Sequence, residues 1–168
     1  MGTTPPLSEE DYLALCVWDE ARGEPYEGKL AVAEVVLNRA AKHYASDGTI
    51  RGTVLAPNQF SGFYFDMIDG RYQRVCHDED AADIRAHRLL AQARQDTSWG
   101  TCERAAKHLR PIELRAVVNI QTVNETGPLI LPGDTVLYYN PAVVHAPPAW
   151  ATPDKYVTTI GHHAFYRA

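Results

Sequence analysis

The sequence predicts a single α+β domain, mainly helical, with a small β-sheet. Three observations lead there. Apolar segments over 8–21 and 25–44 read as two helices separated only by Arg22-Gly23-Glu24, and a third helical pattern runs over 79–96. β-Branched and aromatic residues gather late, at Thr135–Tyr139 and in the tail from Tyr156 to Arg167. The length, 168 residues, suits one domain with a real core and not two comfortable ones.

The elements follow in order. Ser8 precedes Glu9, Glu10 and Asp11, so it is a natural N-cap with acids in the first turn. That helix is expected to run to about Ala21 and stop near Gly23. Pro25 opens the second helix, to about Tyr44. There Leu30, Leu37 and Ala41 share a face and Val32, Ala33, Val35 and Val36 cover the rest. A helix apolar on most sides is a central, buried one. Asp47-Gly48 marks a turn, 50–56 a connector or short helix, and 57–62 a loop. Residues 63–77 read as irregular, with a turn at Asp69-Gly70. The helix over 79–96 takes its apolar side from Ile84, Leu89, Leu90 and Ala93. Ser98-Trp99-Gly100 breaks the pattern, and two helices follow, Cys102–Leu109 and Ile112–Val123, split by Pro111. Gly127-Pro128 and Pro132-Gly133-Asp134 are breakers. Thr135–Tyr139 is a strand candidate, the segment with Pro141, Pro147, Pro148 and Pro153 is irregular, and the tail supplies one more strand.

Composition excludes several function classes. The formal net charge of −5 lacks the basic footprint of a general nucleic-acid binder. No apolar run is long enough to span a bilayer. The first residues, Met1-Gly2-Thr3-Thr4-Pro5-Pro6, show neither a basic nor an apolar leader region, so no signal peptide is expected. Asn124-Glu125-Thr126 matches a glycosylation sequon, a weak three-residue pattern. Cys16 reads as a small buried hydrophobe, and Cys76 and Cys102 leave one disulfide open. There is no GxSxG elbow, P-loop or dinucleotide fingerprint. His77 and His87, and the adjacent His162 and His163, lack a recognised metal-ligand spacing, and HExxH is absent. No metal and no cofactor are expected.

The chemistry concentrates in carboxylates. Glu20 falls in the last turn of the first helix, where the helix dipole disfavours a negative charge. Burial adds to this by raising the carboxyl pKa. Both effects suit a general acid. On residue patterns alone, a surface or turn-capping role is the better explanation of Glu20, and Asp19 lies about as close to the apolar side. Glu34 shares the face of Leu30 and Leu37, so it is expected to be buried and neutralised, with Arg39 or another basic group as partner. Glu24 and Glu27 flank Pro25 at a helix start, where acids are favoured.

The segment Glu20-Ala21-Arg22-Gly23-Glu24-Pro25, followed by Ala31 through Leu37-Asn38-Arg39, resembles the opening motif of the SleB-type (spore cortex-lytic) cell-wall hydrolases. Pro57-Asn58-Gln59-Phe60-Ser61 is similar to that family's Gln-Phe-Ser loop. Leu137-Tyr138-Tyr139-Asn140-Pro141, Trp150 and Ile160 through Tyr166 are similar to its C-terminal block. These blocks cover about half the chain. The resemblance implies a lysozyme-like domain with its sheet beside a cleft. It implies cleavage of the β-1,4 bond between N-acetylmuramic acid and N-acetylglucosamine in peptidoglycan, with Glu20 as the acid. It implies substrate contacts from Gln59, Phe60, Ser61, Tyr138, Tyr139, Asn140 and Trp150. The aromatics among these either stack on sugars or build the core. With no family-supported second carboxylate, a lytic transglycosylase is the first expectation. A hydrolytic muramidase, or a non-catalytic wall-binding or virion component, is the alternative. Residues 63–110 have no clear counterpart in the spore enzymes and read as an insertion that extends or covers the cleft. A monomer is expected, made in the cytoplasm and reaching the wall after holin-type release, as phage endolysins do.

An acid-based mechanism without a ligand cluster needs no metal. Wall-cleaving activity is therefore expected to survive dialysis against a strong chelator. Loss restored only by one added divalent ion would overturn this, and would point to His77, His87, His162 and His163.

Overall fold

The computed structural model describes residues 5–117 and 129–168. The fold is α+β, as the sequence predicts. Helix α1 spans Glu9–Ala21. The Ser8 hydroxyl accepts the Asp11 N–H at 3.1 Å, and the Asp11 carboxylate accepts the Ser8 N–H at 3.0 Å. This reciprocal cap satisfies two donors that the first turn leaves free. Helix α2 spans Tyr26–Lys42. The sequence pattern marks only α2 as central, yet Tyr12 through Trp18 of α1 are all buried too. Helices α2, α3 (Ile50–Val54), α4 (Glu79–Ala93) and α5 (Trp99–Val117) all pack on α1, so it has no solvent face over that run. On α2, Ala41 is exposed and Glu34 is buried.

Four local expectations change. Residues 65–74 are not irregular: β1 (Phe65–Ile68) and β2 (Arg71–Arg74) form an antiparallel hairpin after a 3₁₀ turn at Ser61–Phe63. Asp69 (φ +51°) and Gly70 (φ +71°) make its two-residue turn, where positive φ at both positions matches the strand twist. Ile84 is 58% exposed because α4 buries Ala82, Ala86, Leu89, Leu90 and Ala93 instead. Helix α5 starts at Trp99 and continues through Pro111 to Val117 rather than splitting. Proline removes one donor, but Trp99, Cys102, Ala105 and Ala106 anchor the first half in the core. The tail makes two strands, β4 (Tyr156–Ile160) and β5 (His163–Arg167), turning at Gly161-His162. With β3 (Thr135–Tyr139) they form an antiparallel sheet in the order β3-β5-β4. The sequon at 124–126, the Gly127-Pro128 breaker and the end of the 112–123 helix lie outside the described residues.

Cys16, Cys76 and Cys102 are buried free thiols, so the Cys76–Cys102 bridge left open by the sequence is not formed. The 63–110 segment contributes the hairpin, α4 and the start of α5, and its Phe63, Tyr64, Leu90 and Cys102 sit in the main core. Among the described residues no helix is long and apolar enough to cross a membrane.

Helix α2 carries one polar edge inside this apolar setting. Glu34 accepts the backbone N–H groups of Ile130 (2.8 Å) and Leu131 (2.7 Å). Arg39 is not its partner, because that guanidinium turns to the Val136 carbonyl (Nε at 2.6 Å) and to Gln59. Asn38 Nδ2 donates to the Thr135 carbonyl at 2.9 Å. Three side chains of α2 thus hold the 130–136 strand approach. Glu34→Ala would leave the buried Leu131 N–H and the part-buried Ile130 N–H unpaired. It is expected to lower unfolding free energy by about 2–4 kcal/mol, measured by denaturant titration. A loss below about 0.5 kcal/mol would show that the contact is not structural.

Candidate active site

The end of α1 is built to hold a carboxylate in place. Lys29, itself buried, reaches back from α2 and donates to the carbonyls of Arg22 (3.0 Å) and Glu24. These carbonyls follow the last turn of α1, which contains no basic residue of its own. The lysine satisfies them and opposes the negative end of the dipole. Glu24 pins the same turn to the sheet. Its carboxylate accepts the His162 N–H at 2.8 Å and meets His162 Nδ1 at 2.9 Å. Burial pushes the Glu24 carboxyl up, but the His162 contacts more than offset it and leave the group below its ordinary range.

Glu20 lies in the last turn of α1, just before these anchors. The Tyr138 hydroxyl, from β3, donates to Glu20 Oε2 at 3.0 Å. Burial raises the Glu20 carboxyl to about 7, and the neighbouring Asp19 charge adds to the rise. The Tyr138 hydrogen bond and the Arg39 charge pull the other way. Burial and the Glu20 charge in turn hold the Tyr138 phenol well above its usual value, so it stays a donor. His163 packs edge-on against Tyr138 at 5.0 Å, and burial lowers its pKa, which favours a neutral imidazole.

Beside Glu20 opens a groove of about 500 Å³. Its walls are the end of α1 (Trp18, Asp19, Arg22), the 3₁₀ turn (Ser61, Gly62), the β1–β2 hairpin and α4. Burial raises the Asp19 carboxyl, partly offset by Arg22, Arg85 and the Gly62 N–H. A Cβ on Gly62 would lie 1.8 Å from Asp19 Oδ2, so only glycine allows that approach.

The groove thus brings together Glu20 and Ser61 of the sequence candidates, and a hydrogen bond joins Tyr138 to Glu20. The others lie elsewhere. Phe60 is 1% exposed, beneath the Arg39 guanidinium at 5.1 Å, so its ring builds core and offers no sugar platform. Gln59 accepts from Arg39 at 3.3 Å. Tyr139 and Trp150 pack with Tyr166 in an aromatic cluster on the sheet. Asn140 accepts the Ala142 N–H at 2.9 Å and shapes a turn. Of the other acids, Glu27 is exposed on α2 and Asp134 pairs with Arg167 at 2.8 Å, leaving Asp19 beside Glu20. Residue patterns missed the hairpin wall and Arg85. Asp69-Gly70 flanked by strand formers was a readable hairpin signal, whereas nothing local marks Arg85.

A family model described as "Cell Wall Hydrolase" matches residues 23–166, most of the chain. The chain belongs to this family. The matched span begins just after Glu20, so the match does not itself assign that residue a role. Among curated relatives, the spore cortex-lytic enzyme of Bacillus subtilis (strain 168) is 26% identical over 153 residues, 91% of this chain and 35% of the relative. That of Bacillus cereus is 25% identical over 168 residues, 98% of this chain and 48% of the relative. The chain therefore spans between a third and a half of these relatives' lengths. Its fold is that of the catalytic domain of the germination-specific lytic transglycosylase SleB from Bacillus anthracis. The TM-score is 0.54 at 22% identity, covering 99% of this chain and all of that one. The Bacillus cereus SleB catalytic domain gives 0.50 at 23%, covering 98% and 94%.

The electrostatics predict a sign for each neighbour. Glu20 is expected to titrate near 7, read from its carboxyl carbon by NMR. Tyr138→Phe removes a donor that favours the charged form and moves the value up. Asp19→Asn removes a like charge and moves it down. Titration at the ordinary carboxyl value in the parent protein would refute this account.

Proposed function

We propose that this domain cleaves peptidoglycan glycan strands at the β-1,4 bond following N-acetylmuramic acid, with Glu20 as acid and then base. The observation that carries the reading is a buried carboxyl that holds its proton to about pH 7, beside an open groove in a fold shared with cell-wall hydrolases. Such a carboxyl can protonate the glycosidic oxygen as the C–O bond breaks. The leaving sugar departs as an alcohol, and Glu20 is left as a carboxylate. That carboxylate then takes the proton from the 6-hydroxyl of the muramic acid, whose oxygen closes onto the anomeric carbon to give a 1,6-anhydro ring. Glu20 ends protonated and the cycle balances. An intramolecular hydroxyl held near the anomeric carbon has a large effective concentration. Tyr138 supports the carboxylate stage, since its hydrogen bond favours the charged form.

One observation favours a second route. Asp19 shares the groove with Glu20, and a second carboxylate is what a hydrolytic muramidase uses to assist water. In that route the product carries a reducing end.

Glu20→Gln is expected to reduce wall cleavage by about a hundredfold or more with the fold intact, followed by turbidity loss and mass spectrometry of released muropeptides. Anhydro ends identify the transglycosylase route, and reducing ends the muramidase route through Asp19. A folded Glu20→Gln protein retaining more than about a tenth of parent activity would reject Glu20 as the acid.

A further inference from the structure

We infer that the β1–β2 hairpin is a sugar-binding subsite of the groove, with the Tyr72 ring as the platform for one N-acetylated pyranose of the strand. The inference rests on the glycan reading above and adds a residue and a wall to it. Tyr72 is 56% exposed and lines the groove that holds Glu20. Large rings left open to water are ordinarily loose, but this one is fixed. It lies flat on Phe65, with centroids 5.3 Å apart and planes at 4°. Phe65 is in turn backed by the Arg74 guanidinium at 4.7 Å. The Tyr72 hydroxyl meets Ser61 Oγ at 3.0 Å. All four residues of β2 are exposed, so the ring is not held there to fill a core.

The hairpin is also fastened as a unit. Arg85 of α4 donates to the Gly62 carbonyl (2.9 Å), the Phe65 carbonyl (3.1 Å) and the Asp66 carboxylate (3.0 Å). Asp66, half-exposed in the same groove, is therefore an ionised acceptor beside an immobilised aromatic face. A pyranose presents an apolar C–H face and a rim of hydroxyl and amide donors. A flat ring flanked by a carboxylate fits both at low entropic cost. A strand entering the groove meets this platform and Glu20 in one continuous cleft, which commits the occupant to the glycan rather than to a protein segment.

The test uses the Glu20→Gln protein, so that ligand is not consumed, and calorimetry with a defined GlcNAc–MurNAc tetrasaccharide. Adding Tyr72→Ala or Tyr72→Leu is expected to weaken binding at least about fivefold. Tyr72→Phe and Tyr72→Trp, which keep a flat face, are expected to stay within about fivefold of the parent. A smaller loss with Tyr72→Ala, or an equal loss with Tyr72→Trp, overturns the inference while the glycan reading stands. Failure of the Glu20→Gln protein itself to bind the tetrasaccharide overturns the glycan reading, and the subsite with it.

Discussion

The polar edge of α2 is the constraint on which the site depends. Glu34, Asn38 and Arg39 sit on a helix otherwise packed in hydrocarbon, and each is occupied by backbone groups of residues 130–136. Buried polar groups must find partners, and here the partners are in a different part of the chain. The result is a fixed height and register for β3. Its fourth residue, Tyr138, then falls within hydrogen-bonding distance of Glu20. Lys29 and the Glu24–His162 contact fix the other side, the end of α1. The acid is held by the way two elements are clamped, and only one polar bond touches its own carboxylate among those described.

That arrangement carries a cost in stability. The Glu20 carboxyl rises from an ordinary 4.5 to about 7 on folding. The folded state therefore keeps a proton that the unfolded chain has already released in that range. Stability from this group is full below about pH 4.5 and falls as pH rises through about 7, by roughly 3 kcal/mol in all. The Tyr138 hydrogen bond and the Arg39 charge limit the loss. A site that keeps an acid protonated near neutrality is a site the fold would be more stable without.

Much of this was legible from residues. The capped start at Ser8, the stop after Ala21, the strand Thr135–Tyr139 and the burial of Glu34 all follow from periodicity and end signals that act locally. The helix-end position of Glu20 was legible, but its burial was not, because α1 has a weak apolar pattern and is enclosed by four other helices. Partners separated by about a hundred positions left no local trace. Glu34 therefore read as one half of an ion pair with Arg39, when both bind backbone. Phe60 and Tyr72 show the same limit for aromatics. Composition does not distinguish the ring under a guanidinium in the core from the ring on an exposed hairpin.

The pairing of β3 with β5 has a consequence for timing. Tyr138 is aligned with Phe165, and Thr135 with Arg167. The strand that carries the phenol is therefore paired along its length only when residues 163–167 are present. During synthesis the α1–α2 segment, which carries Glu20, emerges long before. Until the ribosome has passed Arg167, however, β3 lacks its sheet partner and Glu24 lacks His162. A nascent or truncated chain would carry the acid without the setting that orients it. The setting of Glu20 is thus tied to the arrival of residues 163–167, at the far end of this stretch of chain.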